Sequence, residues 1–171
     1  MVAERVLLSY QDQIQTWIVR PATVCGVSPR MRLDLSVNLL TFQALKNKRI
    51  TVFGGDQVRP NIHVDDLSAV YRHLLGGNAP NGIYNAGFEN ISILSMAEEI
   101  ASRTGAEIVV SESNDPRSYR QSSNKLLATG FIPRKGVFEA IQELVDAFKT
   151  GELEDRDDWH TVKSMISKGL A

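Results

Sequence analysis

The 171-residue sequence predicts an α/β fold. Strand-like runs alternate with segments of helical period along most of the chain, which is the pattern of layered α/β units. Hydrophobic residues make up 43% of the total, enough to furnish a core. The strongest helical pattern, residues 136–149, places Val137, Ala140, Ile141, Leu144, Val145 and Phe148 on one face. The length corresponds to one domain, or one domain and part of another.

Residues 1–10 read as the end of a helix, with Val2, Ala3, Val6 and Leu7 among polar partners. Residues 17–19 form a short strand stopped by Pro21. Residues 31–34 lead into a helix reaching about Lys48, with Leu35, Leu39, Phe42 and Leu45 on one side. Residues 50–53 and the run ending at Val64 are two β-rich stretches around Gly54–Gly55–Asp56, and this spacing predicts a hairpin. Asp65 and Asp66 then open a helix to Leu75, because an Asp carboxylate accepts the orphan N–H groups of a helix start. Gly76 and Gly77 read as its C-cap and the start of a loop to Gly82. A strand over 83–86 and a shorter one over 91–93 follow. Ser95, three residues before Glu98, resembles a capping box for a helix to Thr104. Residues 107–111 are a strand, 114–123 a loop or short strand, and 125–127 a short helix. Beyond Gly151 the run E-L-E-D-R-D-D-W-H predicts a mobile charged tail, in which Val162, Met165 and Ile166 can form a last helical turn.

A net charge of −1 points to neither nucleic acid nor a membrane surface as partner. No apolar run approaches the roughly 20 residues of a membrane span, and no secretory signal is visible, so the expected location is the cytoplasm. The single cysteine, Cys25, is read as a small buried apolar residue. His63 stands on a strand and is read as a satisfied core histidine. His73 and His160 lack the carboxylate spacing of a metal site, so no metal is expected. Arg59 lies midway along the second of the two central strands, where a rigid element could present its charge to an anionic ligand or simply to solvent.

The stretch from Phe53 through Arg59 to Ile62–His63–Val64 and Asp66 resembles the signature of the NAD-dependent epimerase/dehydratase family. Its members are extended short-chain dehydrogenases that act on nucleotide-diphosphate sugars. The resemblance continues in register. Arg20–Pro21 to Gly26 is similar to the family's R-P-x-x-V-Y-G, and Gly82 to Gly87 to its G-x-x-Y-N-x-G. Asp115, Arg117, Tyr119 and Lys125 resemble D-x-R-x-Y…K, and Gly130 to Pro133 resembles G-F-x-P. Together these cover about residues 2 to 149.

The resemblance implies the C-terminal part of a Rossmann-type extended short-chain dehydrogenase with its small α/β substrate-binding domain. The N-terminal dinucleotide-binding half is expected to be missing, because neither the Gly-rich pyrophosphate turn nor the Tyr-x-x-x-Lys pair is present in this sequence. Residues 1–30 would be a remnant of the dinucleotide-binding domain. Residues 31–150 would be mainly the substrate domain, and 151–171 the tail. NAD or NADP belongs to the complete family enzyme; none is expected for this chain alone. The implied ligand is a nucleotide-diphosphate sugar. Arg59 and Arg117 would sit near the diphosphate, Asn85 and Tyr119 near the nucleotide end, Thr23 near the sugar and Leu35 against the base or ribose. Pro21 and Val24 would lie beside the nicotinamide, and no residue of this chain is expected to be catalytic. The complete protein is expected to be a homodimer, with Val2, Val6 and Leu7 near the contact. Two functions remain open: the substrate-binding half of an epimerase or dehydratase, or a standalone nucleotide-sugar-binding or interaction module without turnover.

Overall fold

Pairing between strands far apart in sequence organises the chain. The structure, a computed structural model, describes residues 2–113 and 117–170. Strand β1 (Trp17–Pro21) pairs in parallel with β5 (Gly82–Ala86), Ile18 opposite Ile83. Strand β2 (Thr23–Cys25) pairs in parallel with β4 (Val58–His63), and β4 pairs antiparallel with β6 (Glu89–Ser92). Strand β3 (Arg49–Phe53) pairs in parallel with β7 (Glu107–Ser111). The helices are α1 (Val2–Leu8), α2 (Ser36–Asn47), α3 (Val64–Leu75), α4 (Ile93–Thr104), α5 (Asn124–Leu127), α6 (Val137–Thr150) and α7 (Thr161–Ser167). Parallel strands need long crossovers, and α2, α3 and α4 lie within those connections.

Among the described residues, two apolar clusters hold these pieces. In the first, α2, α4 and α6 cover β3, bringing Leu40, Ala44, Ile50, Val52, Ile100, Ile141 and Leu144 together. In the second, Val70 and Leu74 of α3 meet Ile62, Tyr84, Ala86, Leu126 and Phe131. Burying one Leu or Ile contributes about 1.5–3 kcal/mol, whereas an exposed ion pair contributes about 0–1 kcal/mol. The two clusters therefore dominate over the surface salt bridges.

The predicted hairpin is not formed. Strands β3 and β4 belong to different sheets and share no ladder. Gly54 (φ +78°) and Gly55 (φ +120°) both turn in the left-handed region and carry the chain from one sheet to the other. The carbonyls of this link are used elsewhere: Gly55 O accepts the N–H of Leu94 at 2.9 Å, and Gln57 O that of Ile93 at 3.1 Å. The link thus anchors the start of α4.

Local details of the helices also differ from the sequence pattern. Helix α3 is capped by His63, whose Nδ1 accepts the Asp65 N–H at 3.1 Å, and not by either aspartate. The cap of helix α4 lies one turn before the Ser95 box, with Ser92 Oγ accepting the Ser95 N–H at 3.1 Å. The buried residues of α2 are Val37, Asn38, Leu40, Thr41, Phe42, Ala44 and Leu45, so Phe42 and Leu45 are inward as expected while Leu35 and Leu39 are only half-buried. The segment after Gly151 is packed where a mobile tail was expected. Leu153 and Trp159 are buried in the first cluster, and Leu33 N–H donates to Trp159 O at 2.9 Å. Its charge density hid two apolar anchors. Helix α1 leaves Val2, Val6 and Leu7 exposed.

Candidate functional site

The chain also changes sheets at Ala22, between β1 and β2, and a cleft lies at this kink. Pro21 ends β1, Ala22 N–H still donates to Ala86 O of β5 at 2.8 Å, and Thr23 then pairs with Asn61 of β4. Pro21, Thr23 and Val24 line a cleft of about 480 Å³, together with Leu35 and Tyr119. Leu35 is delivered by its extended backbone as the N-cap of α2. Tyr119 is held by its backbone N–H, which donates to Val58 O at 3.2 Å. Next to it, Ser118 Oγ accepts the Val58 N–H at 3.0 Å.

Arg59 borders an adjoining hollow of about 220 Å³ with Ser36, Leu39 and Gln57. Its guanidinium lies 5.3 Å from the centroid of the Tyr119 ring, a cation–π distance. Its Nη1 donates to Val58 O and to Arg117 O. The boundary between the two hollows is therefore the Arg59–Tyr119 stack. Arg117 is exposed and meets Arg59 through its carbonyl; its side chain does not line the cleft. Asn85 also lies off the cleft: its Nδ2 donates to Ser122 O at 3.1 Å, tying the 117–123 segment to β5. Asp115 and Pro116 of the motif lie outside the described residues.

The cleft includes residues that the sequence pattern did not single out, chiefly Arg120 and Gln121. Their only signal was adjacency to Tyr119. Arg32 also lines it, bonded to Asp34 through two contacts of 3.0 and 2.8 Å. The Arg32 hydrogen bonds and the Thr161 N–H hold the Asp34 carboxyl down at about 2, against the desolvation that raises it.

A larger cleft of about 760 Å³ runs along α3, lined among others by Asp65, Asp66, Arg72 and Lys135. None of the expected site residues is there. Asp66 is buried and accepts the N–H groups of Arg134 and Lys135 at 2.9 and 3.1 Å. Lys135 Nζ donates to Asp65 and Glu143, each at 2.7 Å. Size thus does not mark the ligand site here; the acids of this groove, Asp65 and Asp66, are spent on holding Arg134 and Lys135.

His63, Asp65 and Glu143 place one ligand atom each within 4.8 Å of one another. Lys135 already supplies the cation between the two carboxylates, so the set does not fit a metal. His63 is buried with both ring nitrogens engaged: Nδ1 accepts from Asp65, so the ring proton is on Nε2, which donates to Glu143 at 3.0 Å. Cys25 is buried, and desolvation, followed by the nearby Glu89 and Glu143, pushes its thiol up to about 12. No strand-to-helix junction among the described residues carries a Gly-rich pyrophosphate turn: β4 runs directly into α3, and β6 directly into α4. Pro21 and Val24 could border a nicotinamide, but this chain's described junctions do not supply the dinucleotide's phosphate cradle. No helix of the described residues is long and apolar enough to cross a membrane.

Solved structures share this fold. The UDP-glucose 4-epimerase of Thermus thermophilus, in complex with NAD, is 25% identical with a TM-score of 0.70, covering 86% of this chain and 51% of its own. The UDP-glucuronic acid 4-epimerase of Bacillus cereus, in complex with UDP-glucuronic acid and NAD, is 25% identical with a TM-score of 0.71, covering 86% of this chain and 50% of its own. The dTDP-glucose 4,6-dehydratase of Bacillus anthracis, in complex with NAD, matches in fold at 20% identity and a TM-score of 0.72, covering 94% of this chain and 52% of its own. The chain therefore spans about half the length of these structures. The sequence pattern of the NAD dependent epimerase/dehydratase family matches residues 1–87, half of the chain, and includes the Arg20–Gly26 and Phe53–Asp66 motifs. The chain belongs to the NAD-dependent epimerase/dehydratase family.

Proposed function

We propose that this chain is the nucleotide-sugar-binding half of an NAD(P)-dependent epimerase or dehydratase, and that it does not turn over alone. One observation supports the reading above the others. Pro21, Thr23, Val24, Leu35 and Tyr119, distant in sequence, line one cleft, and Arg59 borders the next hollow across the Tyr119 ring. In this reading the diphosphate meets the Arg59 guanidinium, because a planar fork suits phosphate oxygens, and Arg117 holds that guanidinium through its carbonyl, its own side chain being exposed nearby. Thr23 faces the sugar, Leu35 the base or ribose, and Asn85 steadies the nucleotide end by fixing the 117–123 segment. Residues 1–30 act as the return of the dinucleotide-binding domain and 31–150 mainly as the substrate domain. A cytoplasmic homodimer, joined near the exposed Val2, Val6 and Leu7 of α1, is part of the same reading.

Titration calorimetry tests it. UDP-glucose or dTDP-glucose should bind the 171-residue chain, and NAD alone should give no heat. Absence of binding by both sugars, or micromolar binding of NAD, would refute the assignment.

A further inference from the structure

Arg120 is the cation that the cleft leaves unneutralised. Two arginines, Arg32 and Arg120, line the cleft, and no Asp or Glu does so among the described residues. Arg32 is matched by Asp34. Arg120 makes no ion pair and no side-chain hydrogen bond among the described residues. This sets it apart from Arg20, Arg103 and Arg156, which are paired with Glu4, Glu99 and Asp158.

Its backbone is nevertheless fixed on both sides. Tyr119 N–H is bonded to Val58 O of β4 at 3.2 Å. Gln121 exchanges two hydrogen bonds with the Asn90 side chain of β6, its N–H donating at 2.8 Å and its carbonyl accepting at 3.1 Å. An unpaired guanidinium on an anchored segment, in a cleft without acids, is preorganised for an anion.

Position indicates which anion. Arg59 serves the adjoining hollow, and the Tyr119 ring marks the boundary between the two. Arg120 shares its cleft with Pro21 and Thr23, and also with Leu35 and Tyr119, which the reading above places at the nucleoside. Base and ribose carry no charge, so if the diphosphate is met by Arg59, an anionic group that reaches Arg120 belongs to the sugar. We infer that Arg120 is a specificity-determining residue that selects a nucleoside-diphosphate sugar carrying its own carboxylate over the neutral sugar. The inference rests on the nucleotide-sugar reading above.

The test compares UDP-glucuronic acid with UDP-glucose by calorimetry on the 171-residue chain. The two differ only in a carboxylate against a hydroxymethyl group. The wild type should bind the acidic sugar about tenfold or more tightly, as a charge-assisted contact predicts. Arg120→Gln should abolish this preference while keeping UDP-glucose affinity within about threefold, and Arg120→Lys should retain part of it. Circular dichroism monitors fold content in each variant. Equal wild-type affinity for the two sugars would overturn the inference and leave the nucleotide-sugar reading standing. Equal loss of both sugars in Arg120→Gln would also overturn it, assigning Arg120 to the diphosphate. Failure of the wild type to bind either would overturn both.

Discussion

Replacing Asp66 should show how much of the fold's stability depends on one buried carboxylate. Asp66 is 3% exposed, and its Oδ2 accepts two backbone N–H groups, from Arg134 at 2.9 Å and Lys135 at 3.1 Å. No ion pair to Asp66 is formed among the described residues, so its worth lies in these bonds. A hydrogen bond to a charged group contributes about 1.5–3 kcal/mol. Asp66→Ala removes two, but Arg134 is exposed and water can re-satisfy part of the freed backbone. A net loss of about 3 kcal/mol is expected. For a chain of this size that corresponds to a Tm drop of about 6–12 °C. Asp66→Asn keeps an acceptor without the charge and should cost about 1 kcal/mol. Urea melts at pH 7 read both values, with the slope of the transition checking that the unfolded state is unchanged. An Asp66→Ala chain that melts with the wild type would refute the reasoning. So would an asparagine as damaging as the alanine, because the charge itself would then be the contribution.

In a protein competent to bind nucleotide sugar, Arg59→Ala should weaken binding by about 1.5–3 kcal/mol and Arg59→Lys by less, measured calorimetrically at matched fold content. Equal affinity for wild type and alanine would make Arg59 a surface residue. Cys25 should resist iodoacetamide at pH 8 in the folded chain and react only on unfolding, since burial pushes its thiol up to about 12; rapid native labelling, followed by mass spectrometry, would contradict this. Asp34 is held at about 2, below its ordinary 3.8. A depressed carboxylate stabilises the fold above its unfolded pKa, and that contribution is lost as pH falls from 3.8 toward 2. Asp34→Asn should therefore flatten the stability profile in that window, and an unchanged acid limb would count against the Arg32–Asp34–Thr161 contact.

Much of the molecule was legible in the chain because its signals are local. The 3.6-residue period of α6 gives Val137, Ala140, Ile141, Leu144, Val145 and Phe148 as inward residues; the first five are buried and Phe148 is half-buried against the same cluster. Cys25 and His63 were read as buried, and both are. Non-local partners were not legible. Two β-rich runs a few residues apart suggest each other as partners, yet Arg49 of β3 pairs with Glu107, far along the chain. The choice depends on positive φ at two consecutive glycines, which composition alone does not reveal. The sequence presents Asp66 only as an acid at a helix start, because its donors, the N–H groups of Arg134 and Lys135, lie far along the sequence. Arg120 is illegible in the sequence for the opposite reason: its side chain makes no polar contact among the described residues, and only the acid-free lining around it sets it apart.

The link between β3 and β4 has a bearing on how the chain can be cut. A nick within residues 54–57 would separate two pieces that cannot complete their sheets alone. The N-terminal piece would keep β2 and β3, whose partners β4 and β7 lie on the other piece. Strand β1 would likewise look across the break to β5. Every parallel ladder among the described residues would straddle the cut, so the halves would be held by these interwoven strand pairings and by the apolar cluster that α2 shares with α4 and α6. Such a nicked protein should travel as one species under native conditions and separate only in denaturant. Each half expressed alone would lack the strands that template it, whereas the two expressed together would be able to complement one another.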